Sequence, residues 1–336
     1  MPLPTLLHLR RRLAVLTLAV APVALVAAAT SAQAPAQTGA AVDGAPRSDC
    51  FGAAARDPLA PCRDPKLRLT VFPRPDDAVI EPNARCTPVD QTAVLLPCAF
   101  GVPEEKARDV IALIGDSHAA HWRATVERVA QDRGWRGISI TRSGCPFSKA
   151  VARLDPPELE RCQRWNRHVL RWFEAHPEVH TVFVSEHRGG KVVIPPGASN
   201  QAAQIAGYLA VWDALPDTVT RVFVIRDTPR ASGSTAECVD RAVRARTPPG
   251  SACALDRRAV LKPDPAAIAV RRRRPPRVKL IDMSGFMCGS RRCLPVVGGA
   301  LVHKDLDHLT QTFASTLGPL MSRKVASLGL PVRPSR

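Results

Sequence analysis

The residues best placed for chemistry are a serine, an aspartate and a histidine drawn from two distant stretches. The first stretch is Gly115-Asp116-Ser117-His118-Ala119-Ala120-His121-Trp122. It follows the apolar run 110–114, which predicts a buried strand of a parallel sheet. A helical period then runs from Ser117 to about Arg133, with Gly134 as a stop. Ser117 therefore stands where a strand ends and a helix begins, a place that binds ligands and favours developing negative charge. The second stretch, Asp305-Leu306-Asp307-His308-Leu309-Thr310, precedes a last amphipathic segment. An aspartate and a histidine three residues apart at a helix start can share a side. The carboxylate then holds one imidazole nitrogen while the other serves a serine, so Ser117 is expected as nucleophile, His308 as general base and acid, and Asp305 as orienter. Asp307 is a second candidate orienter.

Plainer uses of these residues compete. Asp116 or Ser117 could be only a helix cap, the commonest use of such residues. His118 and His121 could be a metal pair on one helical face. Asp116-x-His118 also fits the opening motif of metal-dependent phosphoesterases, but their downstream ligand motifs are missing, so no metal is expected.

Three blocks in order tip the balance: Gly115 to Trp122, Ser143-Gly144-Cys145-Pro146, and Asp305 to Thr310. Together they resemble the SGNH (GDSL-like) hydrolase superfamily, and more closely the SGNH domains associated with acyltransferase-3 membrane proteins. The resemblance covers roughly residues 107–327. It implies an α/β fold, a three-layer α/β/α sandwich of flavodoxin-like type with a mostly parallel central sheet. It implies a serine acyl esterase or O-acyltransferase acting on O-acyl groups, acetyl foremost, of envelope or secreted glycans. No metal or organic cofactor is implied; a membrane acyltransferase-3 protein is implied as acyl donor. The backbone N–H groups of Ser117 and Gly144 are the expected oxyanion donors. Asp116, His118 and Trp122 are expected to shape the pocket, and His121 to be structural. One departure stands out: where most of the superfamily supplies an Asn after the third strand, this chain has Glu186-His187-Arg188-Gly189. His187 or Arg188 could replace it or belong to a surface loop. The alternative function is a catalytically weak glycan-binding module with the same fold.

The elements needed to position these residues are legible as alternating runs. Strands are expected at 110–114, 137–141, 180–185, 221–225 and 277–282, and helices at 117–133, 157–176, 201–215 and 309–328. A hairpin is expected at 294–303 around Gly298-Gly299. Such alternation argues for a parallel sheet with crossover helices. Residues 49–105 read as a small disulfide-stapled N-terminal annex whose one strand signal is 67–72.

The 336 residues are 45% hydrophobic with a net charge of +17, densest at Arg271-Arg272-Arg273-Arg274. Aromatics are only 4%, with a single Tyr, so the stacking expected of a nucleic-acid binder is lacking. The basic surface suits anionic envelope polymers, lipid head groups or plain solvation. Ten cysteines without metal-type spacing suit an oxidising compartment, paired in sequence as 50–62, 86–98, 145–162, 238–253 and 288–293. Arg10-Arg11-Arg12, an apolar run over 13–29 and small residues after it have the layout of a secretory signal. The expected organisation is a signal peptide over 1–34, a flexible linker over 35–48, the annex over 49–105, an SGNH domain over 106–328 and a tail over 329–336. The location is then secreted or cell-envelope, with an uncleaved membrane anchor as the rival reading of the N-terminus.

Overall fold

A computed structural model describes residues 44–329. The expected signal peptide, most of the linker and all but the first residue of the tail lie outside the described residues.

Seven strands form the central sheet: β1 (Thr87–Pro88), β2 (Cys98–Gly101), β3 (Asp109–Gly115), β4 (Trp135–Thr141), β5 (Val179–Ser185), β6 (Arg221–Ile225) and β7 (Val278–Ile281). Their order is β1-β2-β4-β3-β5-β6-β7. The last five in chain order are parallel, while β1 and β2 add an antiparallel edge. The chain leaves β3 for β4 on one side and returns to β5 on the other. This reversal makes the carboxyl edge of β3 a switch point, where open α/β sheets bind ligands. Gly115 pairs with both Thr141 and Ser185, so the loops after β3, β4 and β5 open side by side.

Helices cover both faces. On one lie α1 (Ser117–Arg133) and the C-terminal pair α6 (Gln311–Thr316) and α7 (Gly318–Ser327). On the other lie α2 (Pro156–Ala175), α3 (Asn200–Asp213) and α5 (Pro265–Arg273). The side-chain alternation of β3 divides the core accordingly. Ile111 and Leu113 pack with Trp122, Phe313 and Met321, whereas Ala112 and Ile114 pack with Trp165, Phe173 and Trp212. The expected three-layer sandwich is thus present. An additional helix, α4 (Thr235–Arg244), lies in the excursion after β6 and packs Val239 against Ala78 and Val296.

Two local expectations need correction. The closing helix is not continuous over 309–328. Pro319 lacks an amide donor and its ring crowds the preceding turn, so the chain restarts after Leu317. A Cβ on Gly318 would stand 2.4 Å from Arg128 Cβ, so glycine lets the restart press against α1. Residues 67–72 are not a strand either. Asp64 accepts the Lys66 amide and, with Pro65 behind it, starts a 3₁₀ turn over Pro65–Leu69. Only Phe72 bridges to a strand partner, Ala300.

The cysteine-bracketed N-terminal segment is tied to the element that carries His308. The Glu81 carboxylate accepts from the amides of Gln311 and Thr312 at 2.6 and 3.1 Å, capping α6. Lys304 Nζ donates to Glu81 O and Asn83 Oδ1, and Arg323 pairs with Asp57.

All five cysteine pairs are sequential, as expected. Cys145–Cys162 joins the loop after β4 to α2 across 17 residues. Closing a loop of that size stabilises the fold by about 3 kcal/mol through the unfolded chain. Replacing both cysteines by alanine should therefore lower the unfolding free energy by about that amount in a urea titration. An unchanged midpoint would refute the link.

Candidate active site

Ser117 is the first residue of α1, and two neighbours hold it there. A Cβ on Gly115 (φ +144°) would lie 2.1 Å from Ser185 O, so only glycine lets β3 end this close to β5. Asp116 then caps the helix. Its Oδ1 accepts the His118 amide at 2.8 Å, and its Oδ2 accepts the His187 amide at 2.9 Å. Asp116 thus joins the loop after β3 to the loop after β5.

Gly144 stands in the turn after β4, where Cys145 N–H closes back on Arg142 O at 3.0 Å. Asn166 of α2 braces the same loop, donating to Pro146 O and accepting from the Ser148 amide. Ser117, Gly144 and His308 line one cleft of about 180 Å³ together with Asp116, His118, His187 and Tyr208. Its far wall is made by two loops that pair at Ala152 and Val192.

His308 Nδ1 lies 2.8 Å from Asp305 Oδ2, while Asp305 Oδ1 accepts the His308 amide at 2.8 Å. Asp307 Oδ1 is farther from Nδ1, at 3.6 Å, so the nearer partner is Asp305. The bond to His308 holds the Asp305 carboxyl below its ordinary range, against the opposing effect of burial. His308 Nε2 is buried and has no hydrogen-bond partner among the described residues. His121 Nδ1 accepts the Leu309 amide at 3.4 Å, and burial keeps its ring neutral by pushing its pKa well down. His121 thus serves as a structural strut for the His308 loop. Trp122, expected at the pocket wall, is fully buried in the core among α1, α6 and α7. Its side chain leaves α1 on the core side, away from the cleft.

Four residues that the sequence left without a settled part complete the site. Asp227, just beyond β6, is fully buried with Oδ1 2.6 Å from His118 Nδ1. Arg188 donates to its Oδ2 from both guanidinium and amide, at 2.8 and 3.0 Å. Burial would raise the Asp227 pKa, but His118 and Arg188 outweigh it and hold the carboxyl low. Burial alone would likewise lower the His118 pKa; the Asp227 carboxylate raises it instead. Arg188 also donates to Thr228 O and Val260 O, so it is an interior clamp and not an oxyanion donor. His187 is half-buried and lines the cleft where the missing Asn was expected. The signal for these residues was position alone: each follows the carboxyl end of a parallel strand.

Glu186 is the fourth. Burial, with Asp116 nearby, pushes its pKa well above the carboxylate range, which favours its neutral form. Its Oε1 accepts the Phe147 amide at 2.9 Å, and it takes a further bond from the Asp116 backbone. The side chain thereby links all three loops. Glu186→Gln keeps the acceptor on an uncharged side chain and should hold kcat/KM within about threefold, whereas Glu186→Ala leaves buried amides unpaired and should lower it by about tenfold or more. Equal kinetics for the two variants would sink this role.

Among the described residues two groups could hold a metal ion: His118, His187 and Asp307, and Asp305, Asp307 and His308, each set with ligand atoms within 4.8 Å of one another.

Residues 85–323 match the sequence family described as "SGNH domain (fused to AT3 domains)". No curated protein matches the chain by sequence. Among solved structures, the chain is similar to the periplasmic domain of a lipopolysaccharide acetyltransferase from Salmonella ser. Paratyphi A. The TM-score is 0.53 at 14% identity, over 67% of this chain and 90% of that one. That likeness speaks for the fold. No helix among the described residues is long and apolar enough to cross a membrane.

Proposed function

The chain belongs to the SGNH domains of the kind fused to AT3 domains, and from that premise we propose that it moves or removes an O-acyl group, acetyl foremost, on an envelope or secreted glycan. The observation that carries this reading is one cleft that holds a helix-start serine and a histidine with Nδ1 on a carboxylate and Nε2 free. In the proposed reaction Ser117 gives its hydroxyl proton to His308 Nε2 as Oγ attacks the acyl carbonyl. Negative charge gathers on the carbonyl oxygen and is met by the N–H groups of Ser117 and Gly144. Asp305 keeps the imidazole oriented and stabilises it while it carries the proton. His308 then protonates the leaving oxygen, and an acyl group remains on Ser117. Water or a sugar hydroxyl, deprotonated by the same Nε2, releases it.

The cleft is smaller than the roughly 300–1,000 Å³ of pockets that swallow whole ligands. That size favours taking in the acyl group while the sugar lies across the opening beside Arg153 and Lys191. An extracytoplasmic location is supported by the five disulfides. The family's fusion to AT3 domains supports a membrane acyltransferase-3 protein as acyl donor.

Two measurements test the proposal. A fluorophosphonate should label Ser117; a glycan-retaining protein that stays unlabelled would instead be a binding module. Transfer and hydrolysis separate in cells that carry Ser117→Ala. Loss of glycan acylation, matched by deletion of the membrane acyltransferase, indicates transfer. A gain in acylation indicates removal and sinks the donor partnership.

A further inference from the structure

The cleft contains more imidazole than acyl transfer uses. The His118 ring lies between those of His187 and His308, with centroids 4.7 and 4.9 Å away. We propose that His118, His187 and Asp307 form a binding site for a divalent transition-metal ion of the zinc class. The three come from α1, the loop after β5 and the loop before α6, so no sequence spacing announces them. One ligand atom from each lies within 4.8 Å of the other two. His187 Nε2 and Asp307 Oδ2 are already 3.6 Å apart. Ligands at about 2.0–2.1 Å from a tetrahedral ion stand roughly 3.4 Å from each other, so this pair needs little adjustment.

The support around the ligands is of the kind a metal centre needs. Asp227 engages His118 Nδ1 at 2.6 Å, which leaves Nε2 as the free nitrogen. A carboxylate on the far nitrogen fixes the tautomer and strengthens a ligating imidazole. Asp227 is in turn held by Arg188 and by the Thr228 amide. The His187 backbone is held by Asp116. Arg230 shares Asp307 Oδ2 at 3.6 Å but is half-exposed and can turn to solvent. Every cysteine is in a disulfide, so no thiolate competes. Two imidazoles and one carboxylate, with a fourth position open to the cleft, form a donor set that suits zinc. The site does not depend on the acyl reaction, so its test reads ion binding alone.

The full-length protein without an affinity tag is titrated with Zn²⁺ against a chromophoric chelator at neutral pH. One ion per chain is expected, with a Kd of about 10 µM or tighter. His187→Ala and Asp307→Asn should each weaken it by about tenfold or more, with the melting temperature of the metal-free variants unchanged. Co²⁺ in place of Zn²⁺ should give a visible absorption band that both variants lose. Absence of binding, or a Kd that either variant leaves unchanged, overturns the site.

Discussion

Ser117→Ala is expected to lower ester turnover by about 10⁴–10⁶-fold while leaving the melting temperature within a few degrees of wild type. The side chain sits at the open end of a helix whose cap is Asp116, so its loss removes a reacting oxygen and no structural bond. His308→Ala should cost about as much, because a nucleophile and its base act as one unit. The double variant should be no worse than either single one. Ordinary aryl acetate turnover by folded Ser117→Ala would end the nucleophile assignment. Losses that multiply in the double variant would show that the two residues work separately.

Asp227→Ala should be the most damaging single change to stability. It leaves the Arg188 guanidinium, with a side chain only 7% exposed, and the buried His118 without their counter-charge. Removing one partner of a buried pair costs about 3–5 kcal/mol. For a domain of this size that is a fall of about 6–20 °C in melting temperature. The pH dependence has a definite sign. His118 and Arg188 depress the Asp227 pKa in the folded state. Its contribution is therefore complete above the unfolded value of about 3.9 and disappears as pH falls through the lower folded value. On the acid side the gap between wild type and variant should narrow below about pH 4, and the share that comes from His118, whose folded pKa Asp227 raises, should fade as pH rises above about 6.5. A melting temperature within 2 °C of wild type at pH 7 would contradict the buried-pair account. Removing both charges, as in Asp227→Leu with Arg188→Met, should recover part of the loss.

The frame of the site was legible because local rules determine it. Strand β3 is a run of apolar residues, and α1 begins at an aspartate cap and ends at a glycine, so its bounds matched the expected 117–133. The Asp305-x-x-His308 pair was legible for the same reason, since both partners lie within one turn. What escaped was long-range. Asp227 finds His118 across 109 residues, and Glu186 reaches Phe147 across 39. Neither pairing leaves a periodicity to read. Trp122 was misplaced because its nearness to Ser117 in sequence says nothing of which side of the helix faces the core. Residues 67–72 had strand-like composition, but the Asp64 cap and Pro65 wound their first part into a 3₁₀ turn. Helices α4 and α5 were hidden by the cysteine bracket and the arginine run around them.

The last part of the chain also sets a clock. His308 and the helices behind it come from the final thirty or so residues, and Phe313, Leu317, Met321 and Val325 complete the core on that face. Ser117 is synthesised about 190 residues before His308, its proposed base. At roughly 5–20 residues per second, that is a wait of about 10–40 s. Glu81 spends that interval with no helix to cap, and His121 with no Leu309 amide to receive. A chain interrupted between Ser117 and His308 carries the proposed nucleophile without the proposed base. On the proposed mechanism the growing chain therefore stays chemically silent until the segment that carries His308 docks.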